Sequence, residues 1–179
     1  MTKIVEACSR NDEAPIFICD FSPARGADHE ALLPARYLPA DFISLAYNPG
    51  RSVRVNSAMA AYWVKEHIGR EVVFTLAMRD MNKLSIQSIL LGAQLLGLEN
   101  VMAVKGDNFT SQEIATQGAV GDFSATDFIR SVNDMNEGLD FKGLKLKSPT
   151  DFCVGACMDL NKDIHSEIAL TRRKVQSGS

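Results

Sequence analysis

The sequence predicts an α/β fold built on a parallel sheet, and three observations carry the prediction. Five short apolar runs begin at Ile16, Phe42, Val72, Val101 and Phe152, at intervals of 26, 30, 29 and 51 residues. That spacing is the spacing of βα units. Each run is bounded by polar residues and is too short for a stable helix, as expected of strands buried on both faces. The segments between them carry apolar residues at i, i+3, i+4 and i+7, the stripe of a helix packed on a sheet. No sequence repeat accompanies this period.

Residues 1–15 read as a loose polar leader ending at Pro15, and residues 16–179 as the folded unit. The first strand is Ile16-Phe17-Ile18-Cys19, stopping at Asp20. A weak helical pattern over 28–38 is limited by Pro34 and Pro39. The second strand, 41–46, ends at the turn Tyr47-Asn48-Pro49-Gly50. A helix over 54–67 follows, with Gly69 as its stop. The third strand, 72–78, runs into Arg79-Asp80, and Asn82 is a good N-cap for the next helix. The fourth strand is Val101-Met102-Ala103-Val104. Residues 108–124 form a long polar loop, of a length usually reserved for function or motion. A helix over 125–139, a strand over 152–157 and a helix over 164–175 complete the chain.

Composition narrows the classes. With 46% hydrophobic and 23% charged residues, the 179-residue chain can build one sizeable core. No apolar run approaches a bilayer span, and the N-terminus does not read as a signal peptide. A net charge of -3 without a basic cluster argues against nucleic acid or membrane as a partner. Cys8, Cys19, Cys153 and Cys157 form no CxxC pair and read as reduced thiols of a cytoplasmic protein. His29, His67 and His165 have no metal-ligand spacing, so no metal is expected.

Right-handed βαβ connections bring the strand ends to one side of the sheet. Asp20, Tyr47-Asn48, Arg79-Asp80, Lys105-Gly106-Asp107 and Asp159 would converge there. Gly106 lets the backbone turn or approach a ligand closely, and Asp107 stands where the fourth strand ends. A glycine-rich dinucleotide fingerprint is missing after the first strand. Five βα units suit a flavodoxin-like sheet and fall short of a full barrel, which typically needs about 250 residues. The residues alone leave these two folds open.

The order of motifs resembles the methylenetetrahydrofolate reductase family over residues 16–178. The resemblance rests on Asp20-Phe21-Ser22-Pro23-Ala24-Arg25, Asp41 through Tyr47, and Thr75 through Asp80. It continues in Leu90-Leu91-Gly92, Gly97-Leu98-Glu99-Asn100, Lys105-Gly106-Asp107 and Arg172-Arg173-Lys174-Val175. It implies a TIM-barrel (β/α)8 fold that binds FAD and uses NAD(P)H to reduce 5,10-methylenetetrahydrofolate to 5-methyltetrahydrofolate. It implies catalytic roles for Asp20, at the place of the family's glutamate, and for Asp107, near flavin and pterin. Flavin contacts would fall to Tyr47, Gly106, Asp107, Arg173 and Lys174, with Lys105 for an arginine and Glu167 for an aspartate. Phe123 and Ser124 lie at the family's adenine-side loop. Ala46, Thr75, Cys157 and Asn161 stand where the family has a threonine, a histidine, a tyrosine and a histidine. About five of eight βα units are present, so the expectation is an incomplete barrel. It would be a piece of a longer reading frame, or be completed by another copy or a partner chain. A non-catalytic pterin-binding subunit and a flavin-free one-carbon transfer protein are the alternatives.

Overall fold

Parallel strands need long crossovers, and the intervals between the apolar runs supply them. In the computed structural model, which describes residues 2–10, 14–117 and 120–179, the five runs pair side by side. β1 (Ile18–Phe21), β2 (Phe42–Leu45), β3 (Glu71–Ala77), β4 (Asn100–Val104) and β5 (Cys153–Ala156) form one sheet in the order β1-β2-β3-β4-β5. Every neighbouring pair is parallel. A flavodoxin-like sheet would place its first strand between the second and third. The sequential order is that of a barrel wall, and it decides between the two folds left open above.

The helices are α1 (Ile4–Arg10), α2 (Ser57–Ile68), α3 (Lys83–Leu95), α4 (Ser111–Gln117), α5 (Ala125–Asn136) and α6 (Ile164–Gln176). Side chains alternate across a strand, so each strand divides its residues between two faces. Ile43, Leu45, Val72, Phe74, Leu76, Val101, Ala103 and Val154 join the core. There they meet Ala58, Ala61 and Val64 of α2, Ile86, Leu90 and Ala93 of α3, and Phe128, Ile129, Val132 and Met135 of α5. The alternate residues Asp20, Ser44, Thr75 and Met102 line the opposite, concave face. That division points polar chemistry to one side of the sheet and apolar packing to the other.

Side-chain caps set the helix starts. Asn56 accepts from the backbone N–H of Ala58 and Met59, Asn82 from Ser85, Ser124 from Asp127 and Asp163 from Ser166. Gly69, with φ of 72°, closes α2.

Four local expectations change. The leader is not loose throughout. Its residues Ile4–Arg10 are helical, and the backbone N–H groups of Thr2 and Ile4 donate to Glu71 Oε2 (3.1 Å) and Asn100 Oδ1 (2.9 Å) at the start of β3 and β4. β1 lies two residues later than the apolar run, so Asp20 sits inside the strand opposite Ser44. The weak helix is a 3-10 segment, Glu30–Tyr37, that contains Pro34. The long polar loop holds α4, whose first turn is a capping box: Thr110 Oγ1 accepts from Glu113 N while Glu113 Oε2 accepts from Thr110 N. Residues 1 and 11–13 of the leader and 118–119 of the loop lie outside the described residues.

Candidate active site

A groove of about 910 Å³ lies at the C-terminal ends of the strands, where α/β sheets present their ligand sites. It gathers twelve of the fourteen residues that the resemblance implies, and of the other strand-end residues Asn48, Arg79 and Asp159 but not Asp80. Asp20, Ala46, Tyr47, Thr75, Lys105, Gly106, Asp107, Phe123, Ser124, Cys157, Glu167 and Lys174 line it, while Asn161 and Arg173 do not.

The turn after β4 is built around glycine. Gly106 has φ of 81°, and a Cβ there would stand 3.1 Å from Ala77 Cβ and 3.2 Å from Arg79 Cβ. Ala77 ends β3 and Arg79 follows two residues later, and both Cβ atoms are fixed to their backbone, so the positive φ and the close approach together favour glycine. The turn exposes Lys105 and Asp107. Neither side chain has a hydrogen bond or ion pair among the described residues. A carboxylate on a rigid turn, with no protein cation against it, is available to a ligand.

Across the groove Asp20 Oδ1 accepts a 3.1 Å hydrogen bond from Ser44 Oγ, its partner in the β1–β2 register. Thr75 is nearly buried on the inner face, and its carbonyl accepts from Ser57 Oγ at 2.6 Å. At the end of β2, burial first and then the Asp80 carboxylate push the Tyr47 phenol up to about 12. Tyr47 is therefore a neutral donor throughout the physiological range. Burial likewise raises the Cys157 thiol, with Asp20 adding to the rise and Lys174 opposing it.

Arg79 and Asp80 pair at 3.3 Å. They do not cap the next helix, a role taken by Asn82. The Arg79 side chain is 7% exposed. A second cavity of about 360 Å³ opens beside it, lined among others by Lys105, Asn108, Phe109, Ile114 and Phe123.

The α6 end of the groove is less open to ligands. Glu167 and Lys174 are buried at 4% and 7% exposure and lie 3.7 Å apart. Glu167 Oε1 accepts from Asp159 N at 3.1 Å, and Lys174 Nζ donates to the Cys157 carbonyl. These two charges tie the loop after β5 to α6. Ser124 spends its hydroxyl on the α5 cap, donating to Asp127 Oδ2 at 2.6 Å. The Phe123 ring packs edge-on against Phe128. Arg173 and Asn161 are exposed and do not line the groove.

Sequence reasoning passed over Ser44, Met102 and Lys162, which also line the groove. The period-2 alternation of β2 and β4 is the signal that places Ser44 and Met102 on the inner face. Lys162 has no such signal, because it sits on a loop. Among the described residues, no cluster of histidine, cysteine and carboxylate side chains could hold a metal ion. No helix is long and apolar enough to cross a membrane.

No curated protein matches the chain. The family model described as methylenetetrahydrofolate reductase matches residues 8–179. That span covers the sheet, all of the groove and every helix except the start of α1. The chain belongs to the methylenetetrahydrofolate reductase family.

Proposed function

We propose that this chain is a flavin-dependent oxidoreductase that reduces 5,10-methylenetetrahydrofolate to 5-methyltetrahydrofolate with NAD(P)H. The observation that carries the reading is the convergence of Asp20, Thr75 and Lys105-Gly106-Asp107 on one groove at the strand ends. Family membership supports a folate substrate and an oxidoreductase-like enzyme.

The strand-end part of the groove fits a flavin. Among the described residues, Arg79 Nε is a buried donor with no acceptor and Lys105 has no carboxylate partner. Unspent donors of this kind suit the acceptor-rich edge of an isoalloxazine and the phosphates of FAD. Ala46, Tyr47, Thr75 and the Lys105-Gly106-Asp107 turn would hold it. FAD, when bound, supplies the two-electron carrier between NAD(P)H and the folate.

The protein's own groups then have distinct tasks. Asp107 offers fixed negative charge to the cationic iminium that opening of the imidazolidine ring creates on the folate. Asp20, oriented by the Ser44 hydroxyl, is the carboxylate on the β1 side of the groove and the candidate proton donor to the opening ring. It is one methylene shorter than a glutamate, so the substrate must sit closer to β1. Tyr47 remains protonated and donates a hydrogen bond at the end of β2.

The test is a titration of the purified chain with FAD and with folate, followed by NAD(P)H-dependent reduction. Saturable binding of both is expected. Asp107→Asn should slow reduction about 10²-fold, the usual scale for losing one electrostatic contact to developing charge, while thermal stability holds. Equal loss of activity and stability would remove the proposed role of Asp107.

One observation favours a second reading, a folate-binding protein that moves one-carbon units without a flavin. Glu167 and Lys174 are spent on each other and on the β5–α6 loop, and Asn161 and Arg173 do not line the groove. Folate binding without any FAD binding would select that reading.

A further inference from the structure

We propose that Arg79 is the positioning residue for Asp107, holding the turn after β4 from the neighbouring strand. The inference rests on the reading of Asp107 as the groove's working carboxylate. The Asp107 side chain has no protein partner among the described residues, so its place is set through its backbone alone. Arg79 meets that segment in three ways. Its Nη1 donates to the Asp107 carbonyl at 3.4 Å, its guanidinium lies 4.9 Å from the centre of the Phe109 ring, and its Cβ and Cδ lie 3.2 and 3.6 Å from where a Cβ on Gly106 would stand. The segment 106–109 is thus moulded on one side chain.

Arg79 is itself anchored by Asp80, through Nη2 at 3.3 Å, so the Arg79-Asp80 dipeptide ties the end of β3 to the turn after β4. The pair also holds two unspent atoms, because Arg79 Nε and Asp80 Oδ1 are both buried without a hydrogen-bond partner among the described residues. A salt bridge built only for stability would bring these two atoms together in a two-pronged pair. Here the guanidinium is instead turned to keep Nη1 on the Asp107 carbonyl. Its orientation favours the turn over the best ion-pair geometry, which is the mark of a positioning group.

The test is hydrogen exchange by mass spectrometry on the full chain, comparing the parent with Arg79→Gln and Arg79→Lys. Exchange in peptides covering 104–110 should rise at least tenfold in Arg79→Gln, with Arg79→Lys intermediate. Peptides from β2 and α5 should keep parental rates. Unchanged exchange over 104–110, or one uniform increase along the whole chain, would overturn the proposal. Should Arg79→Gln fail to fold, Asp80→Asn loosens the same anchor and must give the same local increase. Folate titration supplies the second readout: Arg79→Gln should weaken binding as much as Asp107→Asn, and combining the two should add little. If the parent binds no folate, the reading of Asp107 falls while the exchange result still decides whether Arg79 holds the turn.

Discussion

The buried pair Glu167–Lys174 gives a prediction that can be worked from distances. The two side chains are 5% and 8% exposed and 3.7 Å apart. Lys174→Met keeps most of the side-chain volume and removes the charge. It leaves Glu167 with the Asp159 N–H at 3.1 Å as its only hydrogen-bond donor among the described residues, and it removes the Lys174 donor from the Cys157 carbonyl. Breaking a buried pair from one side costs about 3–5 kcal/mol, and the surviving Asp159 bond favours the low end, near 3. In a domain of this size each kcal/mol moves Tm by about 2–4 °C, so Lys174→Met should melt about 6–12 °C below the parent. Glu167→Gln/Lys174→Met keeps an acceptor for Asp159 and removes both charges, and it should recover most of the loss. The coupling is expected at about 1–3 kcal/mol. The assay is thermal and urea unfolding of the four proteins of the cycle. A Lys174→Met variant within 1 °C of the parent, or simple additivity, would refute the account of a buried tie between the β5 loop and α6.

Other expectations follow from single residues. Gly106→Ala must place a methyl against Ala77 and Arg79 at a φ of 81°, so it should cost about 2–4 kcal/mol from left-handed strain and overpacking, read as a lower urea midpoint with unchanged slope. The chain has three tyrosines, and an absorbance titration should show one phenol, Tyr47, ionising near 12. The folded protein holds that proton more tightly than the unfolded chain. Its contribution to stability is therefore complete below pH 10 and is lost as pH rises from about 10 to about 12. Asp80→Asn should bring the late phenol down, and three phenols titrating together in the parent would contradict the burial of Tyr47.

The sequence made most of the sheet readable because β2 to β5 are short apolar runs, buried throughout in β2 and almost throughout in β3, and buried at most positions in β4 and at a single one in β5. The run expected at 72–78 forms as Glu71–Ala77, a shift of one residue. β1 was harder. Its edge position leaves Ile18 and Asp20 exposed, and its register comes from pairing with β2, which local sequence does not record. α1 escaped notice because it buries none of its residues. It is held by hydrogen bonds to Glu71 and Asn100, far along the chain. α4 could have been found, since Thr110-Ser111-Gln112-Glu113 is a capping box in plain sequence. The choice between a flavodoxin-like sheet and a barrel wall was beyond periodicity, because both share the same βα spacing and differ only in strand order.

For the site, position along a strand was the readable quantity. Residues at strand ends, from Asp20 to Asp107, converge on the groove as the topology requires. Residues carried on α6 and its loop fared less evenly. Asn161 and Arg173 do not line the groove, and Glu167 and Lys174 enter its wall already paired. The orientation of a helix about its own axis decides such cases, and that orientation is set by packing. Arg79 shows the reverse: its sequence neighbour Asp80 hinted at a local pair, whereas its reach to Asp107 spans two strands.

The proposed reaction is hydride transfer to a folate in the groove. The most direct measurement is anaerobic absorbance of the FAD-titrated chain, first with NAD(P)H and then with 5,10-methylenetetrahydrofolate. The account predicts bleaching of the flavin band by NAD(P)H, its return on adding the folate, and slow return in Asp107→Asn. A flavin band that never forms, or one that NAD(P)H bleaches and the folate fails to restore, would contradict it.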